Sequence, residues 1–249
     1  MSQLPLYLQL HSLRREAAAD PERTLRQVPA LGFDGVETVD DYGWSPDRWR
    51  ALLDETGLRV AAAHVSLEAL EDDLAGRLAF CRALGTRQLV VTAVPRAPQS
   101  AERYHDGARR LNTAGQHLTN EGCSLAYHNH EFEFRWTEAP GGRNGLEILL
   151  GETDPALVGF EFDTHWLEHA GQDAVKFIRR HADRTRLIHA KDLRRADRRD
   201  VPAGQGDVDF RTLLPLCATH GWPVVLEYEG EDAVEGVRQG AAYLRGLPV

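Results

Sequence analysis

The chain has 249 residues, 42% hydrophobic and 27% charged, with 38 acidic against 29 basic side chains and a formal net charge of −9. That length suffices for one large α/β domain with a sizeable core, and the acidic balance argues against nucleic acid or an anionic membrane surface as the main partner. Cys81, Cys123 and Cys217 lie far apart and form no CxxC pair, which fits a cytoplasmic protein with buried thiols.

The first strand candidate is PLYLQL (5–10). The chain around it has neither a charged n-region nor a small-residue cleavage site, so no signal peptide is expected, and no apolar run reaches the roughly 18 residues that span a bilayer. FDGVETV (33–39), LRVAAAHV (58–65) and RQLVVTAV (87–94) follow, then SLAYHNH (124–130), LVGFEFD (157–163), RLIHAKD (186–192) and PVVLEYE (223–229). Each is short, rich in β-branched or aromatic residues, and bounded by Gly, Pro or charge. Helical patterns separate them: PERTLRQVPALG, SPDRWRALLDETG with a Ser N-cap and a Pro in its first turn, QDAVKFIRRHADR, and a closing DAVEGVRQGAAYLRGL. Strict alternation implies parallel βαβ units with right-handed crossovers. At about 30 residues per unit the length matches a (β/α)₈ TIM barrel, for which roughly 250 residues is typical. A doubly wound sheet is the competitor, but LQLHSLRRE after the first strand holds no glycine for a phosphate loop. No linker divides residues 1–249, so one domain is expected. The polar stretch RRADRRDVPAGQGDVD (194–209) reads as a long loop after the seventh strand.

Polar residues gather at the C-terminal strand ends, where a barrel carries its active site. His64 ends strand three. AYHNHEFEF (126–134) ends strand five with His128, Asn129 and His130, then Glu131 and Glu133. Strand six carries Glu161 and Asp163, then His165; strand seven His189, Lys191 and Asp192; strand eight Glu227 and Glu229. Side chains at i and i+2 share a face, and charges on the inward face of a closed barrel must be paired or bind a cation. Acids and a histidine converging at one height suit a single divalent ion: Mn²⁺, Mg²⁺, Co²⁺ or Zn²⁺.

The stretches FEFDTHW, LIHAKD and VVLEYE, with the glycine-rich PAGQGDVDF, resemble the xylose isomerase-like barrels, the sugar phosphate isomerase and epimerase group. The resemblance runs nearly the whole chain and implies a metal held by Asp163, His189 and Glu227. Relatives often carry a Glu at the end of strand five, in a context like ENH; here the slot reads HNH, so the fourth ligand is Glu133 from the loop, the preferred reading, or His128 itself. The group's chemistry implies a sugar, keto sugar or sugar phosphate isomerised or epimerised through an enediolate, with Glu133 and Glu227 as the pair of bases. His64, His128, His130, His165 and Lys191 would contact the substrate. Loss of a β-hydroxyl from the same intermediate would make a dehydratase or lyase acting on a keto sugar or inosose. More remote readings are an abasic-site endonuclease-like phosphodiesterase, which needs more metal ligands and a basic groove, and a barrel that binds a sugar without turning it over. Glu161 reads as a partner for an arginine, Asp192 as a cap for the following loop, and the arginines at 194, 195, 198 and 199 as a solvated run. Trp44, Trp136 and Trp166, just after strands, are candidates for a sugar-stacking wall. A homo-oligomer would be in keeping with the group, where dimers and tetramers are common.

Overall fold

The computed structural model describes residues 4–39, 42–94, 99–135 and 142–249. Eight parallel strands close into a barrel: β1 (Leu6–Gln9), β2 (Gly35–Thr38), β3 (Arg59–Val65), β4 (Gln88–Val91), β5 (Ser124–His128), β6 (Val158–Asp163), β7 (Thr185–Ala190) and, after a hairpin, β10 (Val224–Leu226). Sequential strands are neighbours around the ring, and β1 closes it by pairing with β10, Leu6 beside Val224 and Leu8 beside Leu226. All eight expected strands are present, but those at the rim stop early. β5 ends at His128 and β10 at Leu226, so His130, Glu227 and Glu229 stand on the loops above the ladder.

The helices obey their sequence signals. In α3 (Pro46–Thr56) the Ser45 side chain accepts from the Arg48 N–H, and Gly57 closes the helix in the left-handed region at φ 68°. The last helix, α12 (Ala233–Arg245), is tied to the start of the chain: Arg245 donates to the carbonyl oxygens of Leu4 and Gly32 and to Asp34, whose carboxylate also accepts from the Leu6 N–H. No helix is long and apolar enough to cross a membrane among the described residues.

Strand alternation sorts the core in two. Residues such as Leu8, Val36, Tyr127, Phe160 and Phe162 face outward into the large core beneath the helices. Tyr7, Ala62, Val90, Ala126, Leu187 and Val225 face inward and form a separate apolar plug. Gly35 makes room for that plug, since a Cβ there would collide with the Tyr7 ring and the Arg59 carbonyl.

The stretch expected to be one long loop after strand seven instead opens with an antiparallel hairpin, β8 (Asp192–Arg194) and β9 (Arg199–Val201). Arg198 turns it at φ 58°. Asp192 then gathers the glycine-rich segment: its Oδ2 accepts from the N–H groups of Gly204 and Gly206 at 2.9 Å each, and its Oδ1 from Val208 at 3.1 Å and Leu193 at 2.9 Å. The arginine run is locally neutralised, Arg194 by Asp197 and Arg195 by Glu168, while Arg198 donates to the His169 carbonyl.

Candidate active site

Further along the strands, the inward face turns polar at steps of two residues. Tyr7 is followed by Gln9, Gly35 by Glu37, Ala62 by His64, Ala126 by His128, Gly159 by Glu161 and Asp163, Leu187 by His189 and Lys191, and Val225 by Glu227 and Glu229. The period of two along each strand therefore stacks ionisable side chains above the plug. Above them opens a cleft of about 500 Å³, its walls including His11, His64, His128, His130, Trp166 and Glu227.

The side chains form two tiers that share His128 and His189, each histidine giving one ring nitrogen to each tier. In the upper tier the donor atoms of Asp163, His189 and Glu227 lie within 4.8 Å of one another. His189 Nδ1 is 3.1 Å from Glu227 Oε2 and 3.7 Å from Asp163 Oδ2, and His128 Nε2 approaches that same Oδ2 at 4.0 Å. Asp163 Oδ1 accepts from the Trp166 N–H at 2.9 Å, whereas Oδ2 is buried with no hydrogen-bond partner among the described residues. A bare carboxylate oxygen with imidazole nitrogens too far for hydrogen bonds has the spacing of ligands around a common ion, whose own bonds run about 2.0–2.2 Å. Two carboxylates and two imidazoles are a donor set for a divalent cation, and the residues fit one.

The lower tier is knit by hydrogen bonds instead. Glu161 Oε2 lies 3.0 Å from His64 Nε2, 3.0 Å from His128 Nδ1 and 3.2 Å from His189 Nε2. Glu37 Oε2 lies 2.6 Å from His189 Nε2, 2.9 Å from His64 Nε2 and 2.6 Å from Gln9 Nε2. Burial opposes a charge on His64, but Glu37 and Glu161 outweigh it and raise its pKa to about 9. Burial and then the neighbouring Glu37 charge push Glu161 up to about 7. Glu37, which burial would also raise, is held well below the usual carboxylate range by His64 and His189. For His128 burial wins, with the charge on His189 added, and its pKa falls well below the ordinary value, leaving a neutral ring with a lone pair to offer.

Glu161 therefore has no arginine partner of the kind expected: it is fully buried among three histidines. Glu37 was not among the sequence candidates at all. The signal for both is the same alternation that nominated Asp163, applied one tier lower: Glu37 follows inward Gly35 in FDGVETV as Glu161 follows Gly159.

Glu133 stands apart from the expected ligand set. It lies on the short helix α7 (Phe132–Arg135), fully buried, with Oε1 accepting from the Tyr127 hydroxyl at 2.6 Å and Oε2 from the His130 N–H at 2.8 Å. Both oxygens are thus engaged, and Glu133 is not in the group of donor atoms formed by Asp163, His189 and Glu227. Burial raises its pKa to about 8 against the opposing Tyr127 hydrogen bond. His128 instead faces Asp163. His64 and His130 reach the cleft wall; the His130 ring stacks on Phe132, and its Nδ1 is buried without a partner among the described residues. His165 and Lys191 sit behind that wall. His165 Nδ1 donates to the Asp192 carbonyl at 3.0 Å, and its ring packs edge-on to Trp166. The Lys191 ammonium lies 5.2 Å from the Trp166 ring centroid, bonded to Glu229, with Glu227 Oε2 at 3.7 Å and Asp200 Oδ2 at 3.9 Å. Trp166 lines the cleft, Trp44 packs with Trp49 and Arg48 away from it, and Trp136 is outside the described residues.

Known proteins share this barrel. Over 252 residues the chain is 24% identical to an inosose dehydratase of Clostridium botulinum (strain Alaska E43 / Type E3), covering 85% of this chain and 82% of that protein. Among solved structures, a sugar phosphate isomerase/epimerase from Parabacteroides distasonis superposes with a TM-score of 0.85 at 22% identity, covering 99% of each chain. A probable 3-DHS dehydratase from Bacillus anthracis superposes at 0.74 with 15% identity, covering 97% of this chain and 98% of that one. Residues 25–247 match the family model of the xylose isomerase-like TIM barrel, and the chain belongs to that family.

Proposed function

We propose that the chain is a divalent-metal-dependent dehydratase acting on a polyhydroxylated ketone of the inosose class. The observation that carries the reading is the histidine-rich lining of the cleft around Glu227: His11, His64, His128 and His130 line it, and Glu133 does not. Epimerisation through a pair of carboxylate bases would need Glu133 there, and both of its oxygens are engaged by Tyr127 and the His130 N–H. The named activity of the relatives at about 24% identity supports dehydration over the isomerase or epimerase reading that strand order alone suggests.

His128, Asp163, His189 and Glu227 would hold the cation, which when bound supplies Lewis acidity toward a ketone oxygen. Glu227 accepts the proton from the carbon beside the ketone. Although burial would raise its pKa, Lys191 and His189 keep it well below the usual carboxylate range, so it is ionised and ready to accept. Lys191, packed under Trp166, fixes the Glu227 and Glu229 carboxylates. On the far side of the mouth the charged His64 is the proton source for the departing β-hydroxyl, and His130 orients that hydroxyl through its free Nδ1. The bond from carbon to the β-oxygen breaks as the α-proton leaves, and one water is released. The apolar face of Trp166 and the plug beneath the tiers limit bulk water at the reacting carbons.

The test is incubation of metal-loaded protein with an inosose in D₂O, followed by mass spectrometry and ultraviolet absorption of the unsaturated product. Loss of one water, abolished in Glu227→Gln, is the expected result. Deuterium gained at the α-carbon without loss of water would return the site to the isomerase and epimerase chemistry. No turnover and no metal uptake would leave a sugar-binding barrel.

A further inference from the structure

We propose that Glu161 and Glu37 fix opposite tautomers in His128 and His189, and thereby aim one lone pair from each ring at the cation position. The inference rests on the cation site proposed above and concerns what lies beneath it. An ionised carboxylate only accepts hydrogen bonds, and a neutral imidazole carries one N–H and one lone pair. Glu161 Oε2 is 3.0 Å from His128 Nδ1, so His128 carries its hydrogen on Nδ1 and offers Nε2. Glu37 Oε2 is 2.6 Å from His189 Nε2, so when the ring gives up its second proton to a cation the remaining hydrogen stays there and Nδ1 is offered. Those two nitrogens are the ones nearest Asp163 Oδ2, at 4.0 and 3.7 Å, and His189 Nδ1 also lies 3.1 Å from Oε2 of Glu227, the other carboxylate of the cation site.

The rings thus present different nitrogens upward, which neither strand position nor residue type dictates. The carboxylates beneath them decide it. They are themselves held by a common donor: His64 Nε2 lies 2.9 Å from Glu37 Oε2 and 3.0 Å from Glu161 Oε2. Gln9 Nε2 adds a bond to Glu37 Oε2 at 2.6 Å. The tier spans β1, β2, β3 and β6 and supports ligands on β5 and β7, so its geometry is set by the barrel and not by mobile loops. Glu37 and Glu161 are positioning residues, acting through the histidines and making no contact with substrate. Carboxylates behind ligating histidines orient the rings and raise their basicity, and removing one typically weakens metal binding about 10–100-fold.

The experiment uses the full chain labelled with ¹⁵N and loaded with Zn²⁺, which is diamagnetic. Long-range ¹H–¹⁵N spectra of the histidine rings should give His128 as Nδ1–H with zinc on Nε2, and His189 as Nε2–H with zinc on Nδ1. Calorimetric titration with Zn²⁺ should give a Kd about 10–100-fold weaker for Glu161→Leu and Glu37→Leu, and within a few-fold of the parent for Glu161→Gln, whose amide oxygen still accepts from Nδ1–H. If a leucine variant does not fold, the parent spectra and the glutamine variant carry the test. Leucine variants that bind zinc as tightly as the parent, or spectra with the same nitrogen metallated in both rings, would overturn the inference alone. A parent protein that binds no zinc, manganese or cobalt would overturn the cation site beneath which it is built.

Discussion

The imidazole of His128 and the carboxylate of Glu133 leave the same strand end for different surroundings. His128 points inward to Glu161 and Asp163; Glu133 is folded back against Tyr127. Substitution separates their roles. His128→Ala should weaken divalent-ion binding by at least about 100-fold, as expected for loss of a ligand nitrogen, and Glu133→Gln should leave it within a few-fold of the parent. The reverse pattern in a calorimetric titration would restore Glu133 to the ligand set. Glu133 makes a second, independent prediction through linkage. Burial raises its folded-state pKa from 4.5 to about 8, so between those values the folded state holds a proton that the unfolded chain has released. The contribution is fully present below pH ~4.5 and is lost as pH rises through about 8. Urea midpoints measured at pH 5 and pH 9 should therefore fall more for the parent than for Glu133→Gln, which has no proton to lose. Equal falls would mean that the carboxylate is already ionised in its pocket.

At the scale of elements, what a strand announces in sequence is its face, and what it conceals is its end. The eight strands were legible because each alternates outward apolar residues with an inward series, and the inward series of β6, β7 and β10 runs from Gly159, Leu187 and Val225 to Asp163, His189 and Glu227. The same rule reaches Glu37 and Glu161, but a single acid in a short strand reads equally as a surface charge until ring closure shows which face is interior. Glu133 lies apart from them for a different reason: it is held within its own strand-to-helix turn by the Tyr127 hydroxyl and the His130 N–H, contacts that neither strand nor helix periodicity encodes. The hairpin of β8 and β9 hid in a stretch whose arginines and glycines signal loop. Its anchor, however, was visible as Asp192. That carboxylate accepts four backbone N–H groups, and burial raises its pKa in spite of them. Asp192→Ala leaves those donors unsatisfied, at a cost of about 1–3 kcal/mol each before water enters. With partial rehydration we expect a loss of about 2–4 kcal/mol, which for a chain of this size lowers Tm by roughly 5–15 °C, together with early proteolytic cleavage between residues 194 and 209. A variant melting with the parent and equally resistant would show that the segment is held by its other contacts.

For the whole molecule, the barrel places its most costly side chains where a core would be cheapest. Glu37, Asp163, Glu161, His189 and Lys191 are essentially removed from solvent at the centre of the ring, above an apolar plug that seals the other end. Burying ions in this way does not repay itself in stability, because desolvation rivals the Coulombic gain. The tiers are therefore a site that the surrounding hydrophobic layers support, and the upper one, with a bare Asp163 oxygen facing Glu227 and two imidazoles, is left incompletely neutralised. A cation that binds only the folded state should recover part of that deficit. At a concentration of 100 Kd the stabilisation is about 2.7 kcal/mol, which for this length raises Tm by roughly 5–10 °C. The rise should depend on pH in a definite direction. His189, whose pKa burial lowers but Glu161 and Glu37 raise well above its ordinary value, must surrender a proton to act as a ligand, so binding releases protons and strengthens as pH increases. Melting curves with and without Mn²⁺, Mg²⁺, Co²⁺ and Zn²⁺ should accordingly show a larger shift at pH 8 than at pH 6, and almost none in Asp163→Asn. A chain whose Tm no divalent ion moves at either pH, or whose shift survives in Asp163→Asn, would place any cation elsewhere and leave the buried tiers without the role that their geometry fits.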